Sequence, residues 1–327
     1  MNIAALVPDR EAPSSRYRLV QLIPALAGRG IGLKVLELER APRARRRQMA
    51  DLASFDAVIL HRKLLTRGDF SRLRSRVRRL AFDFDDAVLF RDSNRGRFES
   101  RTRRRRFFRA VRGADLAIAG NEYLASLASE AGAACRILPT VLDLSGLPAP
   151  DLRDRGETIG WLGTSSNLIY LADIAEALAQ AVSSAPGRRL VVVCDRDPEL
   201  PGLDYEFRRW SPAVERNALA EFGVGIMPLR DDPWTRGKCA FKLIQYGAAS
   251  IPVVASPVGM NRSVVKHGGT GYLASSPRQW AEALDRLLSD PRSRTEMGAA
   301  GRRLVEEEYS LEANLSRIVE VLEELVG

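Results

Sequence analysis

Three polar side chains stand close together in one short stretch, GKCAFKLIQYGAASIPVVASPVG, at 237–259. Lys238 and Lys242 are four residues apart, which predicts one helical turn between them at the start of a helix, with Gln245 on about the same face. Only five of the 50 basic residues are lysines, so two here are notable. Cations at a helix N-terminus oppose the helix dipole unless an anion binds there. The pair therefore predicts a phosphate site; the alternative is two solvated lysines on a surface helix.

A second candidate for phosphate binding is the stretch GWLGTSSN at 160–167. It predicts a buried strand that opens at Gly163 into the start of a helix, where the backbone amides of Thr164 and Ser165 would be available to an anion. Hydroxyl groups bind a diphosphate but do not neutralise it. The neutralising charge would then come from Lys238 and Lys242.

Basic residues follow the first predicted strand in the stretch SSRYR at 14–18. In doubly wound folds, ligands bind at the carboxyl edge of the sheet. We therefore expect Ser15, Arg16 and Arg18 to meet a donor phosphate or an anionic acceptor. The alternative is that Ser14 or Ser15 caps a helix whose arginines are exposed.

Titratable residues end the next two predicted strands: His61 ends the third, and Asp83, Asp85 and Asp86 end the fourth. Asp85 or Asp86 would hydrogen-bond the hydroxyls of a reacting substrate or orient an acceptor, and His61 is a candidate acceptor contact. A structural role for His61 and a divalent metal on the aspartates are the alternatives. We expect no metal.

Strands and helices alternate in both halves of the chain, which indicates two doubly wound parallel sheets. We predict six strands in the first half: 2–8, the run GLKVLEL, 55–62, 79–88, 114–120 and 135–143. Strands at 158–163 and 189–195 and the runs FGVGIMPL and IPVVAS are predicted in the second half. Neither half has a Gly-x-Gly-x-x-Gly fingerprint after its first strand, which argues against a nicotinamide enzyme. The predicted domains are 1–150 and 151–310.

The charge of the chain is unevenly distributed. Residues 1–150 carry a balance of +13 and residues 151–327 a balance of −4, within a net charge of +9. The seven arginines between Arg101 and Arg112 predict an anionic partner such as a membrane surface, or else a basic helix that packs Phe107 and Phe108 on the sheet. Nucleic acid is not expected, because no nucleic-acid-binding motif is present.

Composition excludes several other classes. The apolar runs are strand-sized, the three cysteines share no metal-ligand spacing, and the N-terminus reads as a strand rather than a signal peptide. A cytoplasmic protein is expected, with a peripheral position at the inner face of the cell membrane left open. Trp161 and Trp210 suit either base stacking or a core.

The 237–259 stretch resembles the donor-binding motif of family-4 retaining glycosyltransferases of GT-B fold. IPVVAS (251–256), Gly259 and the run HGGTGYLASS (267–276) carry the resemblance, while the family's two glutamates are replaced by Gly237 and Gln245. The resemblance implies α/β architecture with two Rossmann-like domains facing across a cleft, and a final helix at about 311–327 packed on the first domain.

For function, the resemblance implies a hexosyltransferase of glycan biosynthesis that uses a nucleotide-diphospho-sugar, a glycan or lipid-linked acceptor and no cofactor. Lys238 and Lys242 would stabilise the leaving diphosphate, Gln245 would contact the ribose, and Asp85 or Asp86 would serve the reacting sugar. A nucleotide-sugar 2-epimerase of the same architecture and a non-catalytic nucleotide-sugar or glycan-binding subunit remain alternatives.

Overall fold

A computed structural model describes residues 1–147 and 155–327 of the chain. The described residues form two compact units. Unit 1 comprises Met1–Asp143, Asp232–Cys239 and Tyr309–Gly327, and unit 2 comprises Leu144–Asp231 and Ala240–Glu308. The predicted boundary between residues 150 and 151 lies outside the described residues.

Unit 1 is built on a six-stranded parallel sheet with the order β2-β1-β3-β4-β5-β6. All six strands predicted for the first half are present. Strands β3, β4 and β5 are buried along their whole length, as expected for a parallel sheet covered on both faces. Their bounds are β1 Asn2–Val7, β2 Gly32–Glu37, β3 Ala57–His61, β4 Leu80–Phe84, β5 Leu116–Ala119 and β6 Cys135–Ile137.

A second six-stranded parallel sheet, with the order β12-β11-β10-β7-β8-β9, forms the centre of unit 2. Its two edge strands are the ones that the sequence does not predict, and one of them, Glu206–Arg209, is polar. The bounds are β7 Thr158–Leu162, β8 Arg189–Cys194, β9 Glu206–Arg209, β10 Val224–Met227, β11 Val253–Ala255 and β12 Gly271–Leu273.

Helices connect the strands in both units. In the first part of the chain they are α1 Pro13–Arg18, α2 Ile23–Ala27, α3 Pro42–Asp51, α4 Arg67–Arg74, α5 Arg101–Gly113 and α6 Glu122–Ser129. In the remainder they are α7 Leu168–Ala172, α8 Ala175–Ser183, α9 Pro212–Glu221, α10 Phe241–Ala248, α11 Asn261–Val264, α12 Pro277–Ser289, α13 Pro291–Leu304 and α14 Leu311–Val326. Among the helices of the described ranges, none has the length and apolar character needed to cross a bilayer.

The C-terminal helix α14 packs on unit 1. Its Leu311, Ile318 and Leu322 lie in the same apolar core as the strands of the first sheet. Ser310 caps it by accepting a hydrogen bond from the backbone N–H of Ala313. Just before the helix, the chain pairs through a single bridge between Leu142 and Ser310.

Candidate functional site

The helix that carries the lysine motif begins later than the sequence predicts. Helix α10 starts at Phe241, because Ala240 before it adopts the left-handed conformation with φ +52°. Lys242 is the second residue of this helix, but Lys238 lies in extended backbone after a 3₁₀ turn, Thr235–Gly237. The prediction that the two lysines lie one helical turn apart is therefore wrong. Lys238 belongs to unit 1 and Lys242 to unit 2.

Lys242 and Gly163 meet at one aromatic ring within unit 2. The Nζ atom of Lys242 lies 5.1 Å from the ring centroid of Trp161, which is almost completely buried. A Cβ atom added at Gly163 would lie 2.1 Å from Cη2 of the same indole, so only glycine fits there. Trp161 therefore belongs to the core and at the same time fixes the position of the lysine against the loop that starts at Gly163.

That loop already holds an internal anion. The carboxylate of Asp195, which follows β8, accepts hydrogen bonds from the backbone N–H and the hydroxyl of Ser165, at 2.6 and 2.8 Å. Burial of Asp195 opposes ionisation, but these hydrogen bonds outweigh it and lower its pKa. Thr164 is hydrogen-bonded to Asn167 beside it. The backbone amide of Ser165, predicted to be available to a phosphate, is thus bound to a carboxylate of the chain itself.

Gln245 is engaged by a carboxylate that the sequence does not single out. Its Nε2 group donates to Oε1 of Glu215 at 2.9 Å, and Oε2 of Glu215 accepts from Nε1 of Trp210 at 2.6 Å. Glu215 lies in the first turn of α9, whereas Gln245 lies in α10. Nothing in the sequence spacing points to this contact, since 30 residues separate the two side chains.

The segment Asp232–Cys239 is fixed within unit 1, although it was predicted to belong to the second domain. A Cβ atom added at Gly237 would lie 2.6 Å from the Cβ of Ala87, so the structure has no room for a side chain at this position. Asn121 donates to the carbonyl oxygen of Gly237 at 3.1 Å. The buried thiol of Cys239 donates to the carbonyl oxygen of Asp85 at 3.2 Å.

Arg18 and His61 are both bound to Asp83 in the interior of unit 1. The guanidinium of Arg18 donates to both oxygens of Asp83, with Nη2 at 2.7 Å from Oδ1, and His61 Nδ1 lies 2.6 Å from Oδ2. Burial would raise the pKa of Asp83, but Arg18 and the hydrogen bond from His61 outweigh it and hold the pKa at about 2. Arg18 also donates to the carbonyl oxygen of Leu138. Its guanidinium is thus engaged inside the protein.

Two further predicted residues have contrasting surroundings in unit 1. Ser15 is fully buried in α1, and Arg16 is half-buried with its guanidinium over the ring of Tyr17. The alternative that Ser14 or Ser15 caps this helix is wrong, because the helix begins at Pro13. In the described residues, the hydroxyl of Ser15 and Nε2 of the buried His61 have no hydrogen-bond partner. Buried polar atoms without a protein partner are usually satisfied by an ordered water or by a group of a ligand.

Asp85 and Asp86 are paired with an arginine that the sequence reading missed. Nε of Arg62 lies 3.4 Å from Oδ1 of Asp85, and Nη2 of Arg62 donates to Asp86. Arg62 adopts φ +56°, a conformation that costs free energy for a non-glycine residue and that is found preferentially at functional sites. Burial raises the pKa of Asp86, against the effects of Arg62 and Lys238. In the described part of the chain, no group of three or more acidic, His or Cys side chains is arranged to hold a metal ion.

Helix α5 carries the arginine run and, through Phe107, packs on the sheet as the second interpretation expects. Phe107 is fully buried and packs edge-on against Phe82 and Phe84 of the sheet. Phe108 instead lies beneath the guanidinium groups of Arg104 and Arg112. The first residues of the helix, 101–105, are exposed.

Comparison with known proteins supports a glycosyltransferase fold. Residues 156–290 match the family model described as Glycosyl transferases group 1. The chain is similar to D-inositol 3-phosphate glycosyltransferase from Thermobispora bispora, with 37% identity over 157 residues; the match covers 42% of this chain and only 35% of that relative.

Solved structures of the same architecture match nearly the whole chain. Sucrose-phosphate synthase from Thermosynechococcus elongatus superposes with a TM-score of 0.79 at 17% identity over 99% of both chains. HepE from Anabaena, in complex with UDP and glucose, gives a TM-score of 0.74 at 15% identity over 99% of this chain and 100% of the other. The predicted α/β class with two Rossmann-like parallel sheets is confirmed. The chain has the GT-B fold of these structures, and its residues 156–290 match the Glycosyl transferases group 1 family model.

Proposed function

We propose that this protein is a retaining glycosyltransferase that transfers a sugar from a nucleotide-diphospho-sugar to an anionic or lipid-linked acceptor. The observation that carries the proposal is the coincidence of the group 1 match with the Lys242, Trp161 and Gly163 arrangement in unit 2. Retention is proposed from the resemblance to family-4 enzymes. No cofactor and no metal ion is part of the proposal.

The donor diphosphate is proposed to bind beside Lys242. Cleavage of the bond between the sugar and the diphosphate leaves negative charge on the leaving group, and a nearby ammonium stabilises that charge in the transition state. A buried aromatic ring holds Lys242, so its position is largely set before the donor binds. Because Asp195 adds a negative charge at the neighbouring Ser165, the lysine has to offset that charge as well. Gly163 and Thr164 of the same unit complete the proposed set.

The acceptor is assigned to unit 1. The unpartnered polar atoms of Ser15 and His61 are suited to bind hydroxyl groups, and Arg16 supplies a cation at the same helix. Arg18 is reassigned from ligand contact to holding Asp83. The name of the Thermobispora relative specifies a phosphorylated substrate, which agrees with an anionic acceptor. Asp85 and Asp86, held by Arg62, are proposed to orient the reacting hydroxyl groups.

The exposed arginines at the start of α5 favour a peripheral position on an anionic membrane. Such a surface would bring the protein to a lipid-linked acceptor on the cytoplasmic side. Guanidinium groups on an amphipathic helix bind phosphate headgroups while the apolar face stays packed on the protein. Nucleic acid is not a proposed partner.

A donor screen tests the proposal. Uridine, guanosine and adenosine diphospho-sugars are added to the protein, and the melting temperature and the release of nucleoside diphosphate are both followed. At least one donor is expected to raise the melting temperature, since ligand binding stabilises the folded state by mass action, and to be cleaved slowly with water in place of the acceptor. Stabilisation without cleavage would identify a binding subunit, and conversion of the donor to its 2-epimer would identify an epimerase.

A further inference from the structure

The positive charge of unit 1 is concentrated on three neighbouring helices. Helices α3, α4 and α5 contain 14 arginines and two aspartates, a balance of +12, whereas the whole chain has a net charge of only +9. Helix α14 of the same unit has the opposite balance, −3. The chain outside the three helices is therefore slightly acidic.

Helix α5 covers the side of the first sheet that α14 leaves open. Phe82 and Phe84 of β4 pack on Phe107 of α5, whereas Ala81, next to them in the strand, lies in the core that α14 shares. Successive side chains of a strand point to opposite faces of a sheet. The basic helix α5 and the acidic helix α14 therefore lie on opposite sides.

Helices α3 and α4 extend the layer that α5 begins. A Cβ atom added at Gly113 of α5 would lie 2.5 Å from Cε1 of Phe70 in α4, so these two helices are in close contact. Nη1 of Arg45 in α3 lies 2.8 Å from Oδ2 of Asp69 in α4. Packed helices are about 8–10 Å apart, which makes the layer about 25 Å wide.

The exposed arginines gather at one end of this layer. Each of the three helices follows a strand of the parallel sheet and so begins at its carboxyl edge. Ten of the 14 arginines are exposed, and all of these except Arg112 lie within the first six residues of their helix. The first turns of α3 and α5 contain no acidic residue. Repulsion between these cations, and with the helix dipoles, would be relieved by an anionic partner.

The layer offers charge but no apolar anchor. Among the described residues, the large hydrophobic side chains that are exposed are Leu147 and Trp210, and both belong to unit 2. Phe108 of α5 is half-buried beneath the guanidinium groups of Arg104 and Arg112. A partner of this surface is therefore held by charge, without insertion of side chains into it.

We propose that the outer side of α3, α4 and α5 is a docking surface for the anionic phospholipid headgroups of a bilayer, held by charge alone. This inference rests on the proposed function and extends the peripheral contact from the start of α5 to three helices. A broad array of guanidinium groups fits a plane of phosphates, whereas no exposed aromatic ring is offered to a single-stranded nucleic acid. Docking by the helix starts turns the carboxyl edge of the first sheet, to which the acceptor is assigned, toward the lipid.

The test is sedimentation with phosphatidylglycerol vesicles at 0.15 M salt, with phosphatidylcholine vesicles as the neutral reference. Combined replacement of the exposed arginines of α3 removes three charges: Arg43→Gln, Arg46→Gln and Arg47→Gln. Each charge near an anionic surface contributes about fivefold, so the affinity should fall by about 100-fold. A contact made by α5 alone would leave this variant parent-like. Arg101→Gln with Arg105→Gln, at the other side of the layer, should lose about 25-fold by the same reasoning.

The matched control removes three exposed arginines of unit 2, by Arg262→Gln, Arg278→Gln and Arg303→Gln, and should keep the affinity of the parent. Because the contact is electrostatic, 1 M salt should release the parent completely, and an anionic monolayer should show no rise in surface pressure.

Four results would overturn the proposal: parent-like sedimentation of the α3 variant, equal loss in the control, binding that survives 1 M salt, or a rise in monolayer pressure. Displacement from the vesicles by a double-stranded oligonucleotide at equal phosphate concentration would assign the surface to nucleic acid instead.

The donor site is tested separately in the same samples. The α3 variant should show the same donor-induced rise in melting temperature as the parent, because the replaced residues lie outside the proposed donor site. A parent that sediments with anionic vesicles but binds no nucleotide-diphospho-sugar would refute the proposed function and leave the docking surface standing. Donor binding without sedimentation would refute the docking surface alone.

Discussion

Replacement of Lys242 by alanine tests the donor site at its most specific residue. If its ammonium contacts the leaving diphosphate, a charge-assisted hydrogen bond worth about 1.5–3 kcal/mol is lost, which lowers kcat/KM by about 10- to 150-fold. The stability of the free protein should change little. Removing a cation from the second position of α10 relieves about 0.3–1 kcal/mol of unfavourable helix-dipole energy, and losing the contact with Trp161 costs about the same.

The assay is steady-state release of nucleoside diphosphate, with melting temperatures measured in parallel. Lys266→Ala provides the control, because Lys266 is an exposed lysine of the same unit. Lys242→Arg should restore activity only in part, since a planar guanidinium does not reproduce a compact ammonium. Parent-like turnover of Lys242→Ala would mean that the diphosphate does not bind at α10, and the reasoning from the lysine motif would fail.

Three further predictions concern stability and surface charge. Because the pKa of Asp83 is about 2 in the folded protein, its stabilising contribution of about 2 kcal/mol is present above pH 4 and is lost as the pH falls toward 2. The free energies of unfolding of the parent and of Asp83→Asn, measured with denaturant, should therefore approach each other by about that amount between pH 4 and pH 2. A difference that stays constant over this interval would contradict the pairing. In α13, Gly298→Ala should lower the melting temperature, since its Cβ would lie 2.1 Å from the carbonyl oxygen of Ser250. The Cβ of Gly301→Ala would meet its nearest atom at 3.6 Å, so this variant should raise the melting temperature through better helix propensity. A higher melting temperature for Gly298→Ala than for Gly301→Ala would refute this packing. Arg101→Gln with Arg105→Gln should weaken sedimentation with anionic vesicles at low salt and leave the fold intact, whereas equal sedimentation of the parent with neutral vesicles would exclude an electrostatic membrane contact.

The strands were predictable because the sequence of a buried parallel strand is a short, continuous run of apolar residues. VVV at 191–193 and VVA in β11 each lie in such a run, and both were found as strands. The edge strand β9 was missed for the corresponding reason: its sequence EFRR is polar, and only its pairing with β8 makes it a strand. Edge strands need less apolar surface, so their sequences carry a weaker signal.

The candidate site was less predictable, because its geometry depends on contacts between distant residues. The spacing of Lys238 and Lys242 suggested one helix face, but alanine at position 240 is a strong helix former and gives no hint of its left-handed conformation. Nothing in the sequence distinguishes Arg18 from an exposed arginine that binds phosphate. Only the fold reveals that Asp83, 65 residues away, binds it in the interior.

The two positions at which the 237–259 stretch departs from the family's motif are as informative as the positions at which it matches. The sequence shows that Gly237 and Gln245 stand where glutamates are usual, but the physical reasons appear only in the structure. Ala87 leaves no space for a side chain at 237. At 245, the amide binds a carboxylate supplied by α9.

Carbon-13 NMR of the donor sugar, recorded while the protein turns over, tests the central claim most directly. With a donor labelled at C1 and C2 of the sugar, the account predicts loss of the phosphate-linked C1 signal, release of nucleoside diphosphate, and a new glycosidic C1 of the same anomeric configuration when an acceptor is present. A C1 that stays linked to diphosphate while C2 inverts, or a donor that binds and is never cleaved, would contradict glycosyl transfer by this protein.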